Sequence, residues 1–173
     1  MKKHMTSLAV LGILLAQVSP ATAAEPKTVQ ATAIKQITIQ SIIAPSVRSH
    51  HIDQVIGRLE KRVGKTWYVF SGATPAGWDC SGLTMWAYEQ LGVELPHSAN
   101  KQARSGIRVV SPQVGDLVLF GYKGTNTFFH ASIYIGNNKV IHAGFRKGQT
   151  TAVLDLGAAS VKNTKQVFVR VGF

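Results

Sequence analysis

"ATPAGWDCSGLTMWAYEQLG", residues 73–92, holds the one cysteine of a 173-residue chain and changes texture halfway along. Residues 71–78 are rich in Gly, Ala and Pro, the composition of a loop. From Cys80 onward the residues suit a helix, and Gly92 supplies its stop. The stretch therefore predicts a loop handing over to a helix, with Cys80 at the helix N-terminus. Unpaired backbone N–H groups and the positive end of the helix dipole favour a thiolate there. An ordinary thiol, with a pKa of about 8.5, is only a few per cent ionised at neutral pH. A helix N-terminus with an imidazole beside it lowers that value to between about 3.5 and 7.5. A lone cysteine also suits an apolar core, so position by itself leaves a nucleophile and a structural thiol both open.

Upstream, "IDQVIGRLEKRVG" sets Ile52, Val55, Ile56, Leu59 and Val63 on one helical stripe that Gly64 ends. Downstream, "SANKQARSG" predicts a short third helix with Ser98 as its N-cap. After Pro112 the texture becomes that of strands. "GDLVLFG", "HASIYIG", "KVIHAG", "TAVLDL" and "VFVRV" are β-rich runs separated by Gly and Asn turns. Helices followed by an antiparallel meander indicate an α+β fold, a single domain over 51–173.

The first 23 residues have the form of a secretory signal peptide. A basic start at Lys2 and Lys3 precedes an apolar run from Leu8 to Ala16, and small residues with an A-x-A pattern end at Ala23. The run is too short to span a bilayer, and no cysteine stands at the cut to take a lipid. Residues 24–50 are expected to form a linker or packing arm. Cleavage would remove two lysines and no acids, taking the formal charge from +11 to +9. A polyanion is the natural partner of such a charge. Export and the lack of a nucleic-acid-binding motif argue against nucleic acid and for an anionic cell-wall polymer.

Export also sharpens the question of the single thiol, because no second cysteine exists to oxidise it against. His130 and His142 lie on neighbouring strands joined by Gly136-Asn137-Asn138. If those three residues form the hairpin loop, Ile135 faces Lys139 and Ser132 faces His142. His130 is then the diagonal neighbour of His142 on the same face, about 7–8 Å away at the backbone. A two-residue loop would send the two rings to opposite faces. Ala131, Ile133, Ile135, Ile141 and Ala143 form the other, apolar face. The pattern suits a relay in which one imidazole serves the thiol and the second orients it. One cysteine and two histidines also number enough for a zinc site, but the close ligand pairs of such sites are missing.

These residues resemble the NlpC/p60-type cell-wall cysteine endopeptidases, a papain-like family with its segments permuted. The resemblance runs from about Ile52 to Ala143, through "GKTWYVFSGATPAGWDCSG", "LGVELPHSANKQARSG", "VGDLVLF" and "HASIYIGNNKVIHAG". It implies a papain-like fold with N-terminal helices packed on a C-terminal antiparallel sheet. It further implies Cys80 as nucleophile, His130 as its base and His142 as the polar third member. Tyr68, Asp79 and Ser81 match positions that bind or shape the substrate, and Asp116 matches a position taken as structural. The pattern departs from the family at Ser71, where a first of two glycines is common, and at Ala131-Ser132, where Val-Gly is frequent. Trp67, Trp78 and Trp86 gather around the thiol in sequence, as groove lining or as core.

The implied activity is hydrolysis of peptidoglycan stem peptides after a D-glutamyl γ-linkage, before the diamino acid. The implied protein is a secreted or periplasmic monomer needing no cofactor and no metal. Amidase or transpeptidase chemistry at the same Cys-His site, and a non-catalytic wall-binding module, are the alternatives.

Overall fold

The structure is a computed structural model that describes residues 49–144 and 148–172. The expected signal peptide and all but the last two residues of the expected arm lie outside the described residues.

Helix α1 (residues 49–60) buries Ile52, Val55, Ile56 and Leu59, the predicted stripe. Val63 packs against the core from the turns that follow, and Gly64 sits at φ +72°. The segment expected as a loop contains a small hairpin, β1 (Ala73–Thr74) with β2 (Gly77–Trp78). Ser71, where the family commonly has glycine, adopts φ +59°, in the left-handed region that disfavours a side chain. Helix α2 (Cys80–Glu89) follows, with Gly92 beyond it at φ +77°. Helix α3 (Ala99–Gln102) is capped by Ser98, as predicted, but lasts a single turn.

Six strands then form one antiparallel sheet: β3 (Ile107–Val109), β4 (Leu117–Gly121), β5 (Phe128–Gly136), β6 (Lys139–His142), β7 (Ala152–Asp155) and β8 (Lys165–Arg170). Their order is β3-β8-β4-β5-β6-β7. The expected meander is correct for β4 to β7 only. β8 crosses back to pair with β4, and β3, an edge strand that the pattern did not predict, pairs with β8. Every residue of β4 is buried, as a strand covered on both faces must be. Leu117 and Leu119 join Leu83, Ala87, Tyr88, Ile133 and Ile141 in the core beneath the helices. Val118 and Phe120 join Val140, Leu156 and Val161 on the opposite face.

Asp116 locks the entry to β4. It is 1% exposed and receives two hydrogen bonds from the Arg170 guanidinium on β8, at 3.0 and 2.8 Å, and one from the Gln113 N–H at 2.8 Å. Tyr88 of α2 donates its hydroxyl to the adjacent Gly115 carbonyl at 2.7 Å. Removing the carboxylate takes away three hydrogen bonds to a charged acceptor from partly exposed donors, which typically costs about 1.5–3 kcal/mol. Asp116→Ala is expected to lose that much stability in urea denaturation, as its structural assignment requires. A loss under about 1 kcal/mol would show the pair to be an ordinary surface contact.

Candidate active site

Cys80 is the first residue of α2, and Asp79 is its N-cap. The Asp79 carboxylate accepts the Gly82 N–H at 2.7 Å, the Ser81 hydroxyl at 3.0 Å and, from the preceding loop, the Ser71 N–H at 3.1 Å. One side chain thus caps the helix and ties it to the loop, fixing the direction in which the thiol leaves the backbone. Gly82 lets the first turn approach the β1–β2 hairpin: a Cβ there would collide with the Gly72 carbonyl. Cys80 itself is half-buried. Its sulfur lies within hydrogen-bonding reach of the Ala131 N–H on β5, besides the N–H groups of Ser81 and Cys80. The helix therefore brings the thiol to the strand residue next to His130.

His130 and His142 are both buried, and His130 Nε2 lies 3.1 Å from His142 Nδ1. The rings meet edge to face, with centroids 5.1 Å apart and planes at 82°. The hairpin achieves this by a route other than the expected one. Asn137 and Asn138 form a two-residue turn with φ of 50° and 58°, the left-handed geometry asparagine tolerates. That turn would put the histidines on opposite faces. Ile135 is bulged, so Gly136 faces Lys139 while Tyr134 faces Val140 and Ile133 faces Ile141. The extra residue restores the register that brings the two rings together. A second bulge, at Phe129, lies directly before His130, since Phe120 pairs with His130 and Gly121 with Phe128.

The electrostatics correct one expectation. Burial pushes the Cys80 thiol above its ordinary value, and the Asp79 carboxylate adds to that. The N–H groups of Ala131, Ser81 and Cys80 pull it down without prevailing. The helix N-terminus does act on the sulfur, but desolvation outweighs it. Burial pushes His130 well below the usual histidine range, with His142 reinforcing the effect. His142 is lowered by burial too, offset in part by a hydrogen bond to the Ala143 backbone. Burial therefore favours the neutral form of both the thiol and the imidazole.

Both depressions act on stability. Between the ordinary histidine value of 6.5 and the lower native one, the unfolded chain holds protons that the folded chain does not. Their contribution is complete above that ordinary value and is lost as the pH falls below it. The thermal midpoint is expected to drop between about pH 7 and pH 5, with a slope that His130→Gln reduces. A midpoint that held steady or rose on acidification would contradict the burial of neutral rings.

Tyr68 is half-buried; burial, then the charges of Cys80 and Asp79, push its hydroxyl up, which places it in the field of both groups. Ser81 is buried, with its hydroxyl committed to Asp79. Ser132 is fully buried and donates its hydroxyl to the Val118 carbonyl at 2.9 Å. Trp78 is fully buried, with its indole N–H on Thr151 Oγ1 at 2.8 Å, and Trp86 packs against it at 5.6 Å. Trp67 is exposed and lines, with His142, Gln149, Thr150 and Leu154, a cavity of about 520 Å³. Two residues the sequence reading passed over complete the surroundings. His97 Nε2 lies 2.9 Å from Asp79 Oδ1. Gln102, fully buried, donates to the Ser81 and Pro96 carbonyls and accepts from the Thr84 hydroxyl. Both lie within "LPHSANKQ", whose polar residues gave no periodic signal.

Residues 64–168 match the model of the NlpC/P60 family. Over 79 residues, 44% of the chain, the sequence is 34% identical to a gamma-D-glutamyl-L-lysine dipeptidyl-peptidase of Bacillus cereus. Over 75 residues, 42% of the chain, it is 36% identical to the peptidoglycan endopeptidase RipA of Mycobacterium tuberculosis. The aligned segments span 24% and 15% of those two proteins' lengths. Among solved structures, an NlpC/P60 family protein from Bacillus cereus superposes with a TM-score of 0.61 at 27% identity, covering 67% of this chain and 39% of that one. A thiol at a capped helix start, set against an α+β sheet that carries a histidine pair, thus sits within a family match covering well over half of the sequence: the chain belongs to the NlpC/P60 family.

Proposed function

We propose that the protein is an exported cysteine endopeptidase hydrolysing peptidoglycan stem peptides, at the bond between the D-glutamyl γ-carbonyl and the amine of the diamino acid. The observation that carries this reading is the placement of the Cys80 sulfur on the Ala131 amide, one residue from His130, whose Nε2 is held 3.1 Å from His142. The names of the two aligned relatives support the substrate class and the γ-glutamyl bond.

With Nε2 shared with His142, Nδ1 is the nitrogen that His130 presents to the thiol. His130 takes the Cys80 proton as the sulfur attacks the amide carbonyl, so deprotonation accompanies attack rather than preceding it. The tetrahedral intermediate collapses, the C–N bond breaks, and the imidazolium returns the proton to the departing amine. A water molecule, deprotonated by His130, then hydrolyses the thioester and regenerates the thiol. His142 holds the ring in the required tautomer. The N–H of Cys80, at the helix start, is the donor offered to the developing oxyanion. Tyr68 and Asp79 flank the thiol and bound the acyl side of the substrate, and Ser81 fixes the Asp79 carboxylate. The cavity beside His142 extends the surface available to the peptide.

The test is mass spectrometry of muropeptides after digestion of purified peptidoglycan. Wild-type protein is expected to leave fragments ending in γ-linked D-glutamate and to expose the amine of the diamino acid, while Cys80→Ala releases neither. Release of the whole stem from its sugar, or new cross-links, would replace this reading with amidase or transpeptidase chemistry.

A further inference from the structure

Between Pro96 and the C-terminus the sequence has ten lysines and arginines against two acidic residues, Asp116 and Asp155. Asp116 is consumed by Arg170, and Asp155 caps the Gly157 N–H beyond β7. The remaining cations are not spread evenly. Arg104, beyond the end of α3, donates to the Asn100 carbonyl and, at 3.4 Å, to the Asn126 carbonyl in the β4–β5 connection. Lys165, at the start of β8, donates to the Thr125 carbonyl at 2.7 Å and to Asn126 Oδ1 at 3.3 Å. Arg108 and Lys165 both stand against the Phe128 ring, 5.7 and 5.6 Å from its centroid. Lys123 is exposed in the same connection.

We infer that this corner, built from the β4–β5 connection and the adjoining parts of α3, β3 and β8, docks an anionic polymer carrying phosphate groups, with Arg104, Arg108, Lys123 and Lys165 as its contacts. Among the described residues none of the four forms an ion pair. Their mutual repulsion is therefore left for an external anion to relieve. Backbone carbonyls and an aromatic face orient Arg104, Arg108 and Lys165 while adding no negative charge, which keeps the cationic field directed outward. A small anion meets one or two of these groups at once. A chain with a charge at every repeat meets all four, and guanidinium groups match phosphate oxygens in pairs. The corner adjoins the catalytic strand, since Phe128 lies two residues before His130. A docked polymer would hold the thiol beside the matrix that contains it.

The test uses the full chain with Cys80→Ala, so that binding is read without hydrolysis, and labelled poly(glycerol phosphate) as the probe. One variant carries Arg104→Gln, Arg108→Gln, Lys123→Gln and Lys165→Gln. A control of equal net charge carries Lys61→Gln, Arg62→Gln, Lys65→Gln and Lys139→Gln. The corner variant is expected to bind on the order of 10²-fold more weakly at low salt, with a shallower salt dependence, and the control within ~3-fold of the parent. Lys123→Gln alone, a side chain in an exposed turn, is expected to weaken binding ~3–10-fold without affecting folding. Equal losses in the corner and control variants would reduce the effect to net charge and overturn the site. So would tighter binding to phosphatidylglycerol vesicles or to poly-γ-glutamate than to the phosphate polymer. Because the parent lacks the thiol, failure here leaves the proposed hydrolysis untouched, and the converse holds too.

Discussion

Replacing His130 with alanine is expected to lower kcat/KM for stem-peptide hydrolysis by ~10³–10⁴-fold, about as much as Cys80→Ala. The size of the effect follows from the burial of both groups. Burial pushes the thiol up and so disfavours a standing thiolate that could maintain the reaction without a base. In the proposed mechanism the same ring also protonates the leaving amine and activates the water that releases the acyl group. His142→Ala should cost less, on the order of 10²-fold, because it removes only the partner that orients Nε2. His142→Asn, which keeps a polar group at that place, should recover part of the loss. Alkylation of the thiol supplies an independent readout. Its rate should climb with pH through an inflection above the ordinary thiol value, where a preformed thiolate would react at a constant rate from acid upward. An unchanged kcat/KM in His130→Ala would remove the ring from the chemistry.

Gly82→Ala carries the second large effect, through the backbone. The methyl group would be driven into the Gly72 carbonyl, and a carbonyl fixed in a hairpin cannot swing aside as a flexible side chain can. Gly72 is itself constrained, since a Cβ there would press on the Gly77 carbonyl, and its own carbonyl accepts the Asp79 N–H at 3.0 Å. Relief must come from moving the first turn of α2 away from the hairpin. That movement carries Cys80 off the Ala131 amide and disturbs the Asp79 cap. Stability is expected to fall by ~3 kcal/mol or more, in the range reserved for steric conflict in the core. Activity should fall in the fraction that remains folded. A variant with full stability and wild-type turnover would show that the helix can retreat without moving the thiol.

Much of this arrangement was legible in the residues because local rules and tertiary structure agree. The α1 stripe, the Ser98 cap and Cys80 at the start of α2 are helix-terminus and periodicity signals that packing left intact. The pairing of His130 with His142 was also correctly expected, although for an incomplete reason. Composition showed a Gly-Asn-Asn turn but not that the turn proper is two residues long and that Ile135 bulges to compensate. Two errors in the expected local geometry cancelled because the apolar face of β5 must point at the core.

What escaped the reading was non-local. β3 is three residues long and defined by its pairing with β8, and the return of β8 to β4 is fixed by the core. The hairpin at 73–78 has strands of two residues, too short for any alternation to show. His97 and Gln102 reach the site through side-chain hydrogen bonds from a polar loop and a one-turn helix. The influences on the thiol divide in the same way. The helix N-terminus that favours a thiolate is readable along the chain, whereas desolvation by the sheet beneath it is not.

Because Cys80 is the sole thiol in the sequence, modification by iodoacetamide reports on one atom. Protein alkylated to completion, verified as a single adduct by intact mass, should release no stem-peptide fragments while keeping its fold by circular dichroism. Fully alkylated protein that digests peptidoglycan at the unmodified rate would show that the sulfur is not the nucleophile.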